Sequence, residues 1–191
     1  MVQILGVRKM NTILDLGKFR KAVVWKDESP LIMDKADYEL KTLLQLNKPI
    51  VSKYQKLVLE LKLPRNSSCY ALLGVEYNPN QNSELMIEIH VKDSNTIFYK
   101  SKLQLHEDIY SGIPTEYANS IISSAKEKIL ESNWKYACSL VFLLGAHSLI
   151  GSSETVFSKA KKILIALLSN EFSEESCLSN DLVIEEELDS Y

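Results

Sequence analysis

The chain has 191 residues, which is long enough for one domain with a substantial hydrophobic core. Its hydrophobic content of 46% and charged content of 25% are typical of globular proteins, and no apolar run approaches the roughly 20 residues of a membrane-spanning helix. Residues 1–20 also lack the basic start, unbroken apolar stretch and cleavage site of a signal peptide. We therefore expect a cytoplasmic protein with no membrane partner.

Charge is distributed unevenly along the chain. The sequence has 22 Lys and Arg, 25 Asp and Glu and a net charge of −3, but residues 171–191 hold eight of the acidic residues and no Lys or Arg. Residues 1–170 therefore carry a net charge of +5. This asymmetry fits a mildly basic body that meets a polyanion, and it also fits a solvated surface with a polar end.

The acidic C-terminal tail, residues 171–191, has two interpretations. Its composition favours disorder. The apolar run Leu182-Val183-Ile184 instead favours a short partner-binding element, or a segment that folds back onto the basic body.

Motifs for catalysis, metal binding and nucleotide binding are absent from the sequence. The histidines lack H-x-x-x-H spacing, and neither a G-x-S-x-G nucleophile elbow nor a G-x-x-x-x-G-K-[ST] phosphate loop occurs. The three cysteines, Cys69, Cys138 and Cys177, are too few and too widely spaced for a disulfide framework or a structural zinc site. Cys138 lies in an apolar run and is expected in the core. We expect no catalytic residue, metal or cofactor.

The first 54 residues are interpreted as an N-terminal extension that packs on or beside the main domain. It begins with the apolar runs Val2–Val7 and Ala22–Trp25, and Pro30 marks a break. The pattern then predicts a short helix over 34–46, with Asp34 as its cap and an apolar side that includes Leu40, Leu43 and Leu44.

Residues 55–105 are predicted to form strands. Alternation of apolar and polar residues, or apolar runs bounded by turn signals, predicts strands over 56–62, 70–77, 85–91 and 96–105. The polar segments between them, 65–68, 78–80 and 93–95, predict turns.

The remainder of the main domain, which ends near residue 170, is predicted to contain two helices and a central strand. The first helix covers 115–130 and has a buried stripe at Tyr117, Ile121, Ala125 and Ile129. A buried strand follows over 136–144. Ser152 or Ser153 caps the second helix, which directs Lys159 and Lys162 outward. The fold class is therefore α+β, with a mostly antiparallel sheet and two helices packed on one face.

Two motifs carry a resemblance to a known family. Gly112–Tyr117 reads G-I-P-T-E-Y, and Gly145–Phe157 reads G-A-H-S-L-I-G-S-S-E-T-V-F. Together they resemble the fourth domain of elongation factor G, in which a G-G-x-I-P-x-E-Y turn precedes a G-x-y-H-x-v-D-S-S-E-x-A-F loop. The order of elements is similar over residues 55–170, and the resemblance implies the second-domain fold of ribosomal protein S5.

The resemblance also implies a function. In that family two loops at one tip of the domain approach ribosomal and messenger RNA, and the family's histidine aligns with Ser148, directly after His147. The resemblance implies a non-catalytic binding protein that contacts the ribosome or structured RNA, without a GTPase domain. The predicted RNA-binding residues, with the basic residues of the second helix added from charge, are Arg65, Asn66, Ser67, His147, Ser148, Lys159, Lys161 and Lys162.

Two alternatives stay open at this point. His147 is equally compatible with an exposed loop imidazole that has no role. The whole chain is also compatible with a regulatory protein–protein interaction module that keeps the fold but does not bind RNA.

Overall fold

The computed structural model describes residues 12–31, 35–64, 70–95, 97–173 and 178–190. In chain order these form β1 (Leu14–Asp15), β2 (Lys21–Lys26), β3 (Tyr38–Gln45), β4 (Gln55–Lys62), β5 (Tyr70–Pro79), β6 (Glu84–Val91), β7 (Ile109–Ser111), α1 (Thr115–Glu131), β8 (Cys138–Ser148), α2 (Glu154–Phe172) and α3 (Asn180–Asp189). Within these ranges, no helix combines the length and the apolar composition that crossing a bilayer requires.

The strands form one mixed sheet in the order β1-β2-β4-β5-β8-β6-β3, and β7 pairs with β8 beside this path. Neighbouring strands are antiparallel except β6 and β8, which are parallel. A parallel pair needs a long crossover connection, and here the crossover contains α1. The fold is therefore α+β with a mostly antiparallel sheet, and β2 and β3 of the predicted extension are strands of that same sheet.

Both faces of the sheet are covered over its central strands. α1 and α2 pack on one face, where the larger core cluster includes Leu59 of β4 and Phe157 of α2. On the other face, the segment that follows β6 contributes Leu103 to a smaller cluster around Val58 and Leu72. Because successive strand residues point to opposite faces, β4 and β5 supply side chains to both clusters.

Several predicted elements are confirmed. The strands expected at 56–62, 70–77 and 85–91 are β4, β5 and β6, although β5 continues to Pro79 through residues expected to form a turn. The two expected helices are α1 and α2, and the predicted stripe of α1 is buried. Ser153 caps α2, since its side chain accepts a hydrogen bond from the backbone N–H of Val156. Cys138 is buried, as expected.

The helix predicted over 34–46 is wrong. Residues 38–45 form β3, which pairs along its whole length with β6, from Tyr38 opposite Val91 to Gln45 opposite Glu84. Leu40 and Leu44 point towards the core, whereas Leu43 is exposed. The run of leucines satisfies both a helical and an alternating pattern, and pairing with β6 decides between them.

Two further boundaries differ from the sequence prediction. Of the strand expected at 96–105, the described residues keep only an isolated bridge between Phe98 and Tyr110, and the chain forms the short β7 afterwards. β8 is longer than expected, because it continues past Leu144 to Ser148. The run Val2–Val7, the cap Asp34 and the cysteines Cys69 and Cys177 lie outside the described residues.

The interpretation of the acidic tail as disordered is wrong for residues 180–189, which form α3. This helix packs mainly on α2, and Val183, Ile184 and Leu188 are buried in the larger core cluster. Its acidic residues pair with the body, Glu187 with Lys128 and Asp189 with Arg20. The tail therefore folds back, which was the alternative considered for it.

Lys161 on α2 is an unusual buried charge. Its side chain is fully buried, and its Nζ atom has no hydrogen-bond partner within the described residues. Burial lowers its pKa to about 7, and the neighbouring Lys162 acts in the same direction. Proteins seldom bury an unpaired ammonium group, because its desolvation is costly.

We expect Lys161→Met to stabilise the protein by about 2 kcal/mol near pH 6.5, because the apolar side chain fills the same space without a buried charge. The folded-state pKa of Lys161 lies near 7 and the unfolded value is 10.5, so the penalty is largest below pH 7 and fades as the pH rises towards 10.5. Urea unfolding at pH 6.5 and pH 9.5 measures this trend, with the exposed Lys135→Met as the control. A destabilised Lys161→Met protein at pH 6.5 would contradict it.

Candidate functional site

Three chain connections meet at one end of the sheet, and we call their described residues, 16–20, 63–64 and 149–153, the tip. The strand register places them together. Lys21 at the start of β2 pairs with Lys62 at the end of β4, and Lys62 pairs with Tyr70 at the start of β5. β8 ends at the same edge, because Leu72 pairs with Ala146. Within the second connection, residues 65–69 lie outside the described ranges.

Hydrogen bonds join the β8–α2 connection to the start of β5. The backbone N–H of Tyr70 donates to the carbonyl of Gly151 at 2.9 Å, and the hydroxyl of Ser152 donates to the carbonyl of Tyr70 at 2.6 Å. Ser148 stabilises the same turn. Its Oγ accepts a hydrogen bond from the backbone N–H of Gly151 at 3.0 Å and donates one to the carboxylate of Glu107 at 2.7 Å. The two loops that the family resemblance singles out therefore begin side by side.

Large apolar side chains project from the tip. Phe19 is 88% exposed, Ile150 is 87% exposed and Leu149 is 61% exposed. Phe19 and Lys18 both have positive φ, at 62° and 51°, in a turn that also contains Gly17 at 68°. Such a conformation is unfavourable for residues with a side chain. The tight turn directs Phe19 outward.

Of the predicted RNA-binding residues that the structure describes, none is an exposed residue of the tip. Arg65, Asn66 and Ser67 lie outside the described residues. His147 and Ser148 are part of β8 and are 2% and 1% exposed, so their placement in an exposed loop is wrong. Strand pairing with β7, in which Ile109 lies opposite Ser148, extends β8 through both residues and buries them.

His147 is buried and makes hydrogen bonds and ring contacts inside the protein, as a residue with a structural role does. Its Nε2 lies 2.9 Å from Oδ1 of Asn95, and its Nδ1 lies 3.3 Å from the carbonyl oxygen of Gly112. The rings of Tyr110 and Tyr117 lie nearby, with centroids 6.3 and 6.0 Å from that of His147. Burial lowers the pKa of His147, which favours a neutral imidazole that donates to one of these two oxygens. The ring anchors the segment before β7 to β8.

The predicted lysines of α2 lie along the helix, away from the tip. Lys162 is half-buried, with its Nζ 3.7 Å from Oε2 of Glu127 on α1. Lys159, which was expected to point outward, is also half-buried, and Lys161, which was expected to contact phosphates, is fully buried. Sequence reasoning did not select Phe19, Leu149 or Ile150. The signal that could have found them is a large apolar residue close to a glycine in a short segment between two predicted elements, as with Phe19 after Gly17 and Ile150 before Gly151.

The two family-like motifs pack directly against each other. The backbone N–H of Gly112 donates to the carbonyl of Gly145 at 2.8 Å. A Cβ atom on Gly145 would lie 2.4 Å from Cγ1 of Ile113, so no larger residue fits without displacement. The rings of Tyr117 and Phe157 stack at 4.6 Å, which joins α1 to α2. These contacts explain the motif residues structurally and position the β8–α2 turn.

Glu60 forms a buried polar cluster on the face of the sheet opposite the helices. Its carboxylate accepts hydrogen bonds from the hydroxyl of Tyr70 at 2.9 Å, the hydroxyl of Tyr99 at 3.4 Å and the backbone N–H of Lys102 at 3.3 Å. Burial nevertheless raises the pKa of Glu60 above its ordinary value. The cluster attaches the segment after β6 to the sheet. Glu60 and Lys161 lie on opposite faces of the sheet. These two groups with shifted pKa values therefore do not form an acid–base pair.

A possible cation site lies on β3 and β6. In the described part of the chain, ligand atoms of Glu39, Glu88 and His90 lie within 4.8 Å of one another. His90 Nε2 is 2.8 Å from Glu88 and 3.7 Å from Glu39. The ammonium group of Lys41 lies 2.8 Å from Glu39 and 3.2 Å from Glu88, so a cation of the chain itself already occupies the space between the two carboxylates.

We expect wild-type protein to gain stability relative to Glu60→Gln as the pH falls from 7.5 to 4.5. Glu60 binds a proton more tightly in the folded state than in the unfolded state, where its pKa is 4.5, so folding becomes more favourable as the pH falls through the raised value. The difference between the free energies of unfolding of the two proteins should therefore grow at each step towards lower pH. Chemical denaturation at four pH values measures it, with Glu131→Gln as an exposed control. A difference independent of pH would contradict the assignment.

The tip thus exposes large apolar side chains, and the packing of the two motifs positions its β8–α2 turn. No protein-family model, curated protein sequence or solved structure matches this chain.

Proposed function

We propose that the protein is a non-catalytic binding protein whose tip contacts structured RNA, including ribosomal RNA. The observation that supports this most directly is the arrangement of the tip. The β4–β5 and β8–α2 connections leave the sheet side by side, joined by the Tyr70–Gly151 and Ser152–Tyr70 hydrogen bonds. The corresponding pair of loops approaches RNA in the family that the sequence resembles.

The chemistry of the tip suits single-stranded or looped RNA. Lys18, Lys21 and Lys62 lie in or beside the connections and supply positive charge for phosphates. Phe19 is an exposed aromatic ring, and unpaired bases stack on such rings with little dependence on sequence. Ser148 acts indirectly, because its Oγ accepts hydrogen bonds from the backbone of Ile150 and Gly151 and so stabilises the turn that presents Leu149 and Ile150. His147 acts at a greater distance, by anchoring the segment before β7 to β8.

The finer fold assignment belongs with this proposal. The crossover from β6 through α1 to the parallel strand β8, followed by α2, agrees with the element order expected for the second-domain fold of ribosomal protein S5. The direct packing of the two motifs, through Gly112 and Gly145, supports it further. A cytoplasmic location is part of the same proposal.

We expect the double variant Lys18→Gln/Lys62→Gln to weaken binding to small ribosomal subunits and to a labelled RNA stem–loop. Each phosphate contact contributes roughly −0.9 to the slope of log K against log salt on duplexes and roughly −0.7 on single strands, so the slope should become shallower by about that amount per lysine. Fluorescence anisotropy between 50 and 300 mM KCl, with co-sedimentation for the subunits, measures both effects.

Lys135→Gln/Lys48→Gln is the matched control, because these exposed lysines lie in loops outside the tip and the variant loses the same charge. Equal losses in the two double variants would show attraction by net charge alone. An absence of binding by the wild-type protein at 50 mM KCl would refute the proposal.

A protein partner is the second candidate, and the exposed aliphatic pair Leu149 and Ile150 favours it. Apolar side chains that project from a turn suit a hydrophobic pocket of another protein better than a phosphate backbone. We expect Leu149→Ser/Ile150→Ser to abolish capture of such a partner at 500 mM KCl, while Lys18→Gln/Lys62→Gln leaves it unchanged. If the serine variant instead weakens RNA binding as strongly as the lysine variant, the pair belongs to the RNA surface.

A further inference from the structure

The last turn of α3 lies against the tip. Nη1 of Arg20 donates to Oδ1 of Asp189 at 2.6 Å, and Arg20 directly follows the exposed Phe19. The hydrogen bond from Arg20 holds the pKa of Asp189 below its ordinary value, and the charges of Arg20 and of Lys18 lower it further. The Asp189 carboxylate, at the end of the acidic helix α3, therefore interacts electrostatically with two cations of the tip, Arg20 and Lys18.

The rest of α3 is fastened independently of this ion pair. Val183, Ile184 and Leu188 are buried in the larger core cluster. At the start of the helix, the side chain of Asn170 makes two hydrogen bonds with the backbone of Leu178, at 2.9 and 3.0 Å. The position of Asp189 is thus set by apolar packing and by these bonds, and losing the pair with Arg20 does not require α3 to leave α2.

The charge of α3 is unfavourable for an isolated helix. Its last turn has no basic residue, and Glu186, Glu187 and Asp189 add negative charge at the end where the helix dipole is already negative. Contact with Lys128 and Arg20 of the body compensates two of these charges. A negative helix end held beside a positive tip resembles, in charge and position, an anionic ligand of that tip.

We propose that the C-terminal end of α3 is an internal competitor of RNA, and that the surface beside it, with Lys18 and Arg20, is part of the RNA-binding surface. This inference rests on the proposed function of the tip. RNA phosphates replace the Asp189 carboxylate on Arg20, while the apolar face of α3 stays in place. In this pair the side chain of Asp189 is 56% exposed and that of Arg20 is 12% exposed, so the carboxylate is the partner open to water and the one that another anion would replace on the guanidinium.

Asp189→Asn against Glu186→Gln tests this competition. Both substitutions remove one negative charge from the last two turns of the same helix, but Glu186 is exposed and makes no ion pair within the described residues, whereas Asp189 binds Arg20. With the labelled stem–loop at 50 mM KCl, we expect Asp189→Asn to lower the dissociation constant about threefold to tenfold, the usual effect of freeing a phosphate-binding cation. Glu186→Gln should change it less than twofold.

Two further readouts separate competition from unfolding. The helical circular dichroism and the melting temperature should stay close to wild type in both variants, because the packing of Ile184 is unchanged. In the Lys18→Gln background the gain from Asp189→Asn should shrink, since part of the released charge is missing.

The outcomes distinguish this inference from the proposed function. Wild-type binding with equal affinities for Asp189→Asn and Glu186→Gln would overturn the inference and leave the RNA-binding tip standing. No binding by any variant at 50 mM KCl would overturn both. Selective tightening by Asp189→Asn, reduced at 300 mM KCl, would support both.

Discussion

The close approach of Gly112 to Gly145 is the contact on which the arrangement of the tip depends. Gly112 has a φ of 123°, and a Cβ atom there would lie 3.0 Å from the carbonyl oxygen of Lys92, so its position requires glycine. The contact fixes the start of α1 against β8, and the stacked rings of Tyr117 and Phe157 carry the same constraint to α2. The turn between β8 and α2 therefore has little freedom, and exposed side chains on it keep a defined direction.

Much of the fold could be predicted from the sequence, for reasons that individual elements illustrate. In α1 the apolar residues recur at the spacing of a helix over its whole length, and in β6 apolar and polar residues alternate as in a strand. Each pattern is therefore compatible with only one type of secondary structure. In β3 the closely spaced leucines fit two structures, and only the pairing with β6 decides. α3 was missed because its acidic composition resembles disorder, whereas burial of Ile184 against α2 stabilises it.

The candidate site was harder to predict than the fold. The motif around His147 led to the turn between β8 and α2, because its glycine, serine and aromatic spacing reflects packing. It misplaced His147 and Ser148 because pairing with β7, a three-residue strand without a sequence signal, extends β8 and buries both. Phe19 and Ile150 were overlooked since periodicity describes residues that face a core, and these two face solvent.

The position of β8 has a consequence for how the chain acquires its structure. β8 is the last strand in sequence, yet it lies between β5 and β6 and is the strand that links β1-β2-β4-β5 to β6-β3. Without β8, the remaining pairings would leave two separate sets of strands, each with one unpaired edge, at β5 and at β6. Sheets that close through such distant contacts form slowly, and unpaired edges invite association with other chains. Both inner edges, those of β5 and β6, therefore stay unpaired until residues 138–148 are in place, so protection of the whole sheet against association depends on its last strand.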